Sequence, residues 1–451
     1  MSKGAAIQRF LTGWGRRVGG IADVERPTAI RALIPQGPSA IARGLGRSYG
    51  DAALNTGGRV WLTERLNRIL AFDPTTGILQ AESGVTLSDV IALGLPHGWF
   101  PYVTPGTRHA TLGGCIAADV HGKNHHREGG FGEYVEQFTL VLADGKRCAC
   151  SRTEQAPLFW STIGGMGLTG FIRDVTIRLR RIETPVIVRQ HLPARDLAEM
   201  FRYFETPEFD DVYTVAWIDA LADEKSLGRG VFMKGHHAAR TETPPDRQSL
   251  AWQPTAAWTV PFNAPTWLMN PTTIGAFNRL YAWSQARTTA PTFSTLDAFF
   301  YPLDRLTQWP RLYGRPGFLQ YQCVLPTATA PTALPDILRL FARHRCPSFL
   351  AVLKRMGPEG QGLLSFPREG YTLALDIPAK DPSLLPLLER VDEVVVKYAG
   401  RVYLAKDCRL KAATFQAMYP RWETWRSVQH MIDPEHRFQS DLSRRLQLTA
   451  V

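Results

Sequence analysis

Ala42-Arg-Gly-Leu-Gly-Arg-Ser-Tyr-Gly-Asp51 is the stretch of sequence from which the fold of this chain is most directly deduced. Gly44, Gly46 and Gly50 carry no Cβ, so consecutive backbone N–H groups of such a loop approach an anion closely. Their spacing, GxGxxxG, differs from the GxGxxG of dinucleotide-binding βαβ units, and no clear helix signal follows. Taken alone, the stretch fits either a phosphate-binding loop or a plain turn.

Two further glycine-rich stretches follow it in the chain. One runs from Pro105 to His126 and contains four glycines among small residues. The other is Ile163-Gly-Gly-Met-Gly-Leu-Thr-Gly-Phe-Ile172. Because so many side chains are missing or small, both stretches allow the backbone to pack against a large, flat ligand.

Size and composition indicate a folded protein of more than one domain. The chain has 451 residues, and 44% of them are hydrophobic, so two domains are expected. No apolar run approaches the roughly 18 residues of a membrane-spanning helix. The residues from Met1 to Arg17 lack the apolar core of a signal peptide. The six cysteines form no CxxC pair, which favours a reduced compartment and no structural zinc.

The net charge of +11 favours acidic partners. No block of five Lys or Arg residues and no nucleic-acid-binding motif accompanies this charge, so nucleic-acid binding is not predicted. The basic surface is either simply solvated or attracted to anionic lipid headgroups, and composition does not decide between the two.

Local patterns predict strands in the first part and helices in the second. Asp144-Gly145 supplies the tight turn of a hairpin spanning Thr139–Cys148, and Thr86–Leu95 forms a short helix. The composition changes near Pro185, and the Pro- and Thr-rich residues Ala238–Pro271 read as a long loop. Amphipathic helices are predicted at Asp196–Glu205, Pro335–His344, Leu384–Tyr398 and, interrupted by Pro420, Thr414–Gln429.

In this order, the three glycine-rich stretches resemble the PCMH-type FAD-binding domain of vanillyl-alcohol oxidases, aldonolactone oxidases and their relatives. Further stretches are similar to the decaprenylphosphoryl-β-D-ribose 2′-oxidase family, the flavin subunits of a two-protein epimerase that makes the arabinose donor for cell-wall polymers. The similarity is collinear from about residue 40 to the C-terminus. It is carried by Arg43–Asp51, Val120-His-Gly-Lys-Asn-His-His126, Gly317-Phe-Leu-Gln-Tyr-Gln322, Leu364-Ser-Phe-Pro367 and Tyr403-Leu-Ala-Lys-Asp407.

The resemblance implies an α+β protein. Residues 1–185 form a PCMH-type FAD-binding domain of two α/β subdomains. Residues 186–400 form an antiparallel-sheet substrate domain with flanking helices, and residues 401–451 pack back on the FAD domain. FAD is expected to be non-covalent, because Arg47 stands where many relatives have the histidine that bonds to the flavin. The implied FAD contacts are Ala42, Arg43, Gly44, Leu45, Gly46, Arg47, Ser48, Tyr49, Gly50, Asp51, Ala52, Gly106, Thr111, Leu112, Gly113, Gly114, Ala118, Asp119, Val120, His121, Ile172 and Tyr403.

The histidines of the second stretch invite comparison with a metal site. His125 and His126 are adjacent and do not aim naturally at one ion, and no carboxylate lies at ligand spacing, so no metal is predicted. We expect His121 and Lys123 to face the flavin or the substrate, with His125 and His126 in structural roles. A positive side chain near the flavin stabilises the anionic reduced ring.

The resemblance also assigns the chemistry. Lys406, Tyr49 and His121 are the expected catalytic residues, with Lys406 and Tyr49 as alternative bases. Lys406 could instead form a surface salt bridge with Asp407. The expected substrate-binding residues are Lys123, Gln320, Gln322, Lys354 and Lys406. Gln320 and Gln322 alternate along one strand and can therefore share a face.

Several aromatic residues, and several positions that differ from the mycobacterial members of the family, affect the expected shape of the pocket. We expect Trp217, Trp258 and Phe300 to pack in the core or the pocket wall. Relative to the mycobacterial pattern, Ala374 replaces a cysteine, Thr372 an asparagine and Phe300 a tyrosine.

The activity implied is oxidation at C2 of a polyprenyl-phosphoryl ribofuranose to the 2-keto sugar, with an NAD(P)H-dependent reductase partner completing the epimerisation. The expected location is cytoplasmic or peripheral on the inner membrane. One alternative is an aldonolactone or alditol oxidase that uses oxygen on a soluble sugar. Another is a flavin-free scaffold subunit, which would not need three glycine-rich stretches.

Overall fold

The first part of the chain is built on a four-stranded sheet in the order β1-β2-β4-β3. The structure is a computed structural model that describes residues 7–28, 39–255, 257–287 and 289–449. Residues 1–6, at the start of the predicted first domain, and 450–451, at the end of the predicted C-terminal segment, lie outside the described residues. The strands of this sheet are β1 Ile7–Thr12, β2 Gly19–Glu25, β3 Ala40–Arg43 and β4 Arg59–Leu62.

A second sheet follows, with strands in the order β5-β6-β10-β8-β9 and β7 paired to β10. Val175, Ile177 and Leu179 of β10 point into its core, as the alternation in the sequence predicts. The elements of this part are β5 Ile69–Asp73, β6 Ile78–Glu82, α1 Leu87–Gly94, β7 Trp99–Pro101, α2 Leu112–Ala117, α3 His125–Glu128, β8 Val135–Val141, β9 Arg147–Ser151, α4 Ala156–Thr162 and β10 Phe171–Arg181.

Beyond residue 185 the main element is an eight-stranded sheet in the order β15-β11-β13-β12-β18-β19-β17-β20. Its recorded strand pairs are antiparallel. The elements here are β11 Val186–Ala194, α5 Leu197–Glu205, β12 Tyr213–Ile218, β13 Gly230–His237, β14 Trp258–Thr259, α6 Pro271–Ala286, β15 Thr292–Thr295, α7 Leu296–Phe300, β16 Leu306–Thr307, β17 Phe318–Pro326, α8 Ala330–Arg343, β18 Ala351–Met356, β19 Gly370–Pro378, α9 Leu384–Lys397 and β20 Arg401–Val402.

The C-terminal residues pack against the first part of the chain. The Ala40 N–H donates to the carbonyl of Arg437 over 2.8 Å, and the guanidinium of Arg445 pairs with Asp51. Trp425 donates from its indole N–H to the carbonyl of Ser161 over 2.9 Å. The helices involved are α10 Ala412–Met418, α11 Trp422–Ile432 and α12 Asp441–Arg445.

Much of the predicted local structure is confirmed. The hairpin of β8 and β9 turns at Asp144-Gly145. Helix α1 begins after Thr86, whose hydroxyl accepts from the N–H of Asp89, and α10 and α11 are separated around Pro420. The mixture of helices and antiparallel sheets is that of an α+β protein.

Three expectations need correction. The helix predicted to begin at Pro335 begins at Ala330, because its apolar face packs into the core despite the proline within it. Helix α6, which follows the predicted loop, was not predicted. Trp258 is 77% exposed and so does not pack in the core or the pocket wall.

Two properties bear on the cellular setting. No helix in the described ranges is both long enough and apolar enough to span a bilayer. All six cysteines are free thiols.

Candidate functional site

A cavity of about 560 Å³ lies between the glycine-rich loops and the eight-stranded sheet. The loops contribute Gly44 to Tyr49 and Gly106 to one side, while strands β17 and β18 contribute Gln322 and Lys354 to the other. A volume of this size is typical of a buried ligand or cofactor site.

The first two glycine-rich stretches meet at this cavity. A Cβ on Gly44 would lie only 2.3 Å from Oγ1 of Thr111, so only glycine allows the two loops to come this close. Thr111 also caps helix α2, and its hydroxyl accepts from the N–H of Gly114 over 3.3 Å. The two motifs therefore form one continuous wall.

The third glycine-rich stretch joins the same wall, and the Tyr403–Asp407 motif, which directly follows β20 of the eight-stranded sheet, contacts it from the sheet side. The N–H of Met166 donates to the carbonyl of Ala117 over 2.8 Å, which ties the third stretch to α2. The N–H of Tyr49 donates to the carbonyl of Ala405 over 3.1 Å. A Cβ on Gly50 would lie 1.7 Å from the carbonyl oxygen of Asp407, so the first loop requires glycine at this contact too.

Most of the residues expected to contact FAD line the cavity. They are Ala42, Gly44, Leu45, Gly46, Arg47, Ser48, Tyr49, Ala52, Gly106, Thr111, Gly113, Gly114, Ala118, Val120, His121, Ile172 and Tyr403.

Five of the expected FAD contacts do not line the cavity, and each has another role. Arg43 donates to the carbonyl of Thr12, and Asp51 accepts from Arg445. Gly50 packs on Asp407. Leu112 is fully buried in the core of the second sheet, and Asp119 accepts from the N–H of Gly132. These residues hold the loops in shape instead of facing the cavity.

The cavity fits the FAD that the glycine motifs imply. A Cβ on Gly106 would meet no atom within 4 Å, so this position opens directly onto the cavity. Four buried polar atoms of cavity-lining residues have no hydrogen-bond partner among the described residues. They are Nε of Arg47, Oγ of Ser83, Nδ1 of His121 and Nε of Arg189. Such donors need a polar ligand, and a dinucleotide with its pyrophosphate provides one.

Two lysines face the cavity, Lys354 from β18 of the sheet and Lys123 from the second glycine-rich stretch. Burial lowers the pKa of Lys354 to about 8. Burial, aided by the charge of Lys354, also lowers the pKa of Lys123 to about 7. Lys123 lies 4.2 Å from the ring centroid of Phe299 and donates to the carbonyl of that residue. The cavity is therefore suited to an anion.

Lys406 is the third lysine of the cavity. Burial lowers its pKa to about 7, the nearby carboxylate of Asp376 opposes this shift, and Lys354 adds to it. Its Nζ lies 3.8 Å from the ring centroid of Tyr49. The expected alternative, a surface salt bridge with Asp407, is wrong, because Asp407 is buried and pairs with Arg445 over 2.9 Å.

Tyr49 and His121 are held in their neutral forms. Burial raises the pKa of Tyr49 well above its usual value, so the phenol keeps its proton. Burial, with Lys354 nearby, lowers the pKa of His121 well below its usual value. The side-chain amide of Gln322 donates to Nε2 of His121 over 2.9 Å, which places the imidazole proton on Nδ1. His121 is thus a neutral donor at the cavity.

The remaining predicted residues divide between cavity and scaffold. Gln320 and Gln322 both line the cavity, whereas Tyr321 donates to Asp392 on the other side of β17. Nδ1 of His125 accepts from the N–H of Gly357, and Nε2 of His126 lies 2.9 Å from the carbonyl oxygen of Asp211. Within the described ranges, no group of three or more His, Cys, Asp and Glu side chains is arranged to hold a metal.

The pocket wall also contains Trp217, Phe300 and Ala374. Sequence reasoning missed Trp14, whose ring lies 4.0 Å from the guanidinium carbon of Arg47. It also missed Arg189 in the wall and the buried Asp376 beside Gln320. None of the three stands in a motif. Trp14 and Arg189 are brought to the cavity only by the tertiary fold, so no local sequence pattern reveals them.

The fold and the cavity define a PCMH-type flavoprotein of the vanillyl-alcohol-oxidase class. Residues 28–151 match the family model "FAD binding domain", and residues 325–446 match the model "D-arabinono-1,4-lactone oxidase". The chain is an FAD-dependent oxidoreductase acting on a sugar hydroxyl.

Similarity to individual proteins narrows the class. The chain is 38% identical over 450 residues to decaprenylphosphoryl-β-D-ribose oxidase of Mycolicibacterium smegmatis, covering 97% of each chain. It is 33% identical to an uncharacterised protein of Streptomyces coelicolor, covering 81% of this chain and 100% of the other. It is 22% identical to L-gulono-1,4-lactone dehydrogenase of Mycobacterium tuberculosis, covering 94% of each chain. The chain belongs to the decaprenylphosphoryl-β-D-ribose oxidase family.

Proposed function

We propose that this chain oxidises the C2 hydroxyl of a polyprenyl-phosphoryl ribofuranose to the 2-keto sugar, the first half of an epimerisation to the arabinose donor. The observation that carries the proposal is the meeting, in one cavity, of a wall of bare backbone and three lysines, Lys123, Lys354 and Lys406. The named activity of the Mycolicibacterium smegmatis relative, which is similar over nearly the whole chain, supports the same substrate class.

Bound FAD supplies the acceptor for the hydride that leaves C2. The protein must take the hydroxyl proton, and Lys406 is the better base of the two expected, because burial lowers its pKa to about 7 and so leaves part of the amine unprotonated at neutral pH. Tyr49 keeps its proton and therefore acts as a donor or a wall residue. Arg47 has no nucleophile able to bond to the flavin, so the FAD is non-covalent.

Binding of the substrate divides between the other cavity residues. Lys123 and Lys354 provide cationic charge for the phosphodiester, because a bound anion raises the pKa of a neighbouring lysine. Gln320 and Gln322 provide amides for the sugar hydroxyls. Trp217, Phe300 and Ala374 provide apolar surface for the first units of the prenyl chain. A reductase that uses NAD(P)H would complete the epimerisation, and the enzyme would work in the cytoplasm or at the inner membrane surface.

The test is an anaerobic titration of the purified, FAD-loaded protein with a polyprenyl-phosphoryl ribose while the visible flavin absorbance is followed. We expect the absorbance to bleach in proportion to the substrate added. The match to the lactone oxidase model makes a free aldonolactone the informative competitor. Bleaching with the lactone, followed by rapid peroxide formation once oxygen is admitted, and no bleaching with the prenyl-phosphoryl sugar, would instead assign the chain to the oxidases of soluble sugars.

A further inference from the structure

Exposed apolar side chains are concentrated in one segment of the chain. Of the sixteen large hydrophobic residues that are exposed in the described residues, eight lie between residues 258 and 293. Isolated exposed hydrophobic residues are ordinary, whereas a concentration marks an interaction surface. The eight are Trp258, Phe262, Trp267, Leu268, Phe277, Leu280, Trp283 and Phe293.

Helix α6 carries the most regular part of this surface. Phe277, Leu280 and Trp283 are 45%, 62% and 58% exposed. They follow one another at intervals of three residues, so they form a stripe along one side of the helix. Asn278, on the opposite side, is fully buried. A surface helix ordinarily presents polar residues outward, and α6 presents an apolar stripe instead.

The charges around this stripe have one sign. Between Asp246 and Asp297 the sequence contains no carboxylate and three arginines. Two of these, Arg279 and Arg287, lie on or next to α6. The guanidinium carbon of Arg287 is 4.3 Å from the ring centroid of Trp283. Tryptophan beside arginine suits a bilayer interface, where the ring lies at headgroup depth and the cation meets lipid phosphates.

The same helix forms part of the cavity wall. Tyr281 and Gln285 line the cavity, and the ring centroid of Tyr281 lies 4.9 Å from that of Trp217. One side of α6 therefore faces the ligand cavity while another carries the exposed stripe. A lipid chain leaving the cavity at α6 would meet this apolar surface directly.

We propose that the outward face of α6, formed by Phe277, Leu280 and Trp283 with Arg279 and Arg287 beside them, docks on an anionic lipid bilayer. Docking places the cavity wall at the membrane surface, so a lipid-linked substrate reaches the site without crossing water. The benefit for substrate transfer rests on the proposed function, whereas the docking itself does not. A protein partner fits less well, because the segment that carries this face has no carboxylate between Asp246 and Asp297 to contribute to a polar rim.

The test uses the full-length, FAD-loaded protein and sedimentation with extruded vesicles of phosphatidylcholine, with or without phosphatidylglycerol. We expect binding that is stronger with phosphatidylglycerol. The triple variant Phe277→Ser/Leu280→Ser/Trp283→Ser should bind roughly 100-fold more weakly, because three apolar side chains no longer enter the interface. Arg279→Gln/Arg287→Gln should lose the preference for phosphatidylglycerol.

The matched control is Ile7→Ser/Phe10→Ser/Ile21→Ser, which removes three similarly exposed apolar residues from β1 and β2 and should leave vesicle binding unchanged. FAD content and thermal melting verify that each variant is folded. The proposal is overturned if the wild-type protein does not bind vesicles or if the two triple variants bind vesicles equally well. It is also overturned if the α6 variant only dissociates a dimer, which would assign the face to a second copy of the chain.

Turnover of a short, water-soluble prenyl-phosphoryl ribose separates the two proposals. We expect the α6 variant to oxidise it at the wild-type rate and to be impaired only with long-chain substrate held in vesicles. If neither protein oxidises the short analogue, the proposed function fails while the vesicle result still decides the docking surface. Impairment of the variant on the soluble analogue would count against a docking role.

Discussion

The two walls of the cavity are built by opposite means. On the loop side, Gly44 and Gly106 bring bare backbone to the surface, and the contacts depend on side chains that are missing. On the sheet side, Lys354 and Gln322 extend from β18 and β17, the two neighbours of β19, and the contacts depend on side chains that are long and polar. The residue type tolerated at a loop position is therefore set by the space available, whereas that tolerated at a sheet position is set by the charge of the side chain.

This difference separates holding the cofactor from transforming the substrate. Changes on the sheet side should alter the chemistry and leave FAD in place, whereas changes on the loop side should alter FAD retention first. Four substitutions test this separation, and a mixed phenotype in any of them would weaken it.

The largest effect is expected for Lys406→Ala. Loss of the proposed base should slow flavin reduction by substrate about 1000-fold, because Tyr49 keeps its own proton and burial makes His121 too weak a base to take one at neutral pH. Stopped-flow absorbance measures the reduction rate, and the FAD content of the purified protein should equal that of the wild type.

Lys354→Ala is the matched comparison on the same wall. It removes a cavity cation without removing the base, so it should raise KM more than it lowers kcat. Near-normal flavin reduction in Lys406→Ala would show that Lys406 is not the base. The sheet side would then only bind the substrate.

The next largest effect is expected where the C-terminal residues hold the loop side in place. Arg445 pairs with Asp51 over 2.8 Å and with Asp407 over 2.9 Å, and both carboxylates are buried. Arg445→Ala leaves them unpaired and should lower the free energy of unfolding by about 3 kcal/mol, measured by urea denaturation.

The control for this substitution is Lys411→Ala, which breaks the exposed pair of Lys411 with Glu389 and should cost less than about 1 kcal/mol. Similar losses in the two variants would show that the buried pairs do not hold the loop.

Sequence reasoning located the loop side better than the sheet side, for a physical reason. The requirement for glycine at Gly44 and Gly50 is local in the chain, so the motif is visible before the fold is known. Lys406 and Gln322 were reached only through resemblance to a family. Asp376 was missed because it meets Gln320 across the β17–β19 pairing, a neighbour that no local pattern reveals.

Helix α6 was missed for a related reason. Asn270 followed by Pro271 is a helix start signal, and the structure confirms that the side chain of Asn270 caps the helix. However, α6 is apolar on its outward side as well as its buried side, so it lacks the contrast between faces that identifies an amphipathic helix.

A smaller effect is expected from Gly106→Ala on the loop side. The new methyl group would meet no protein atom within 4 Å, so the fold should be unchanged while the methyl intrudes on the cofactor. FAD affinity should fall roughly tenfold, measured by fluorescence on titrating the apoprotein with FAD.

Gly275→Ala, on the helix α6 and outside the cavity, is the matched control. Its methyl meets only Leu221 at 4.0 Å, and FAD affinity should not change. If both variants bind FAD like the wild type, Gly106 does not face the cofactor.

The smallest effect is a shift in the pH profile on the sheet side. Flavin reduction should rise with pH through about 7, because only the free amine of Lys406 accepts a proton. Burial raises the pKa of Asp376 itself to about 7, and in its ionised form Asp376 stabilises the ammonium form of Lys406 and so raises the pKa of that lysine. Asp376→Asn removes this charge, lowers the pKa of Lys406 and should move the acid limb to lower pH by up to about one unit.

Asp304→Asn is the control for this shift, because Asp304 lines the cavity and its charge acts on Arg47, so the acid limb should stay in place. Reduction rates of both variants between pH 5 and 9 decide the matter. If the acid limb of the pH profile does not move in Asp376→Asn, or moves to higher pH, the group that titrates is not Lys406. The proton transfer would then have to be assigned to Lys123 or Lys354, whose pKa values do not depend on the charge of Asp376.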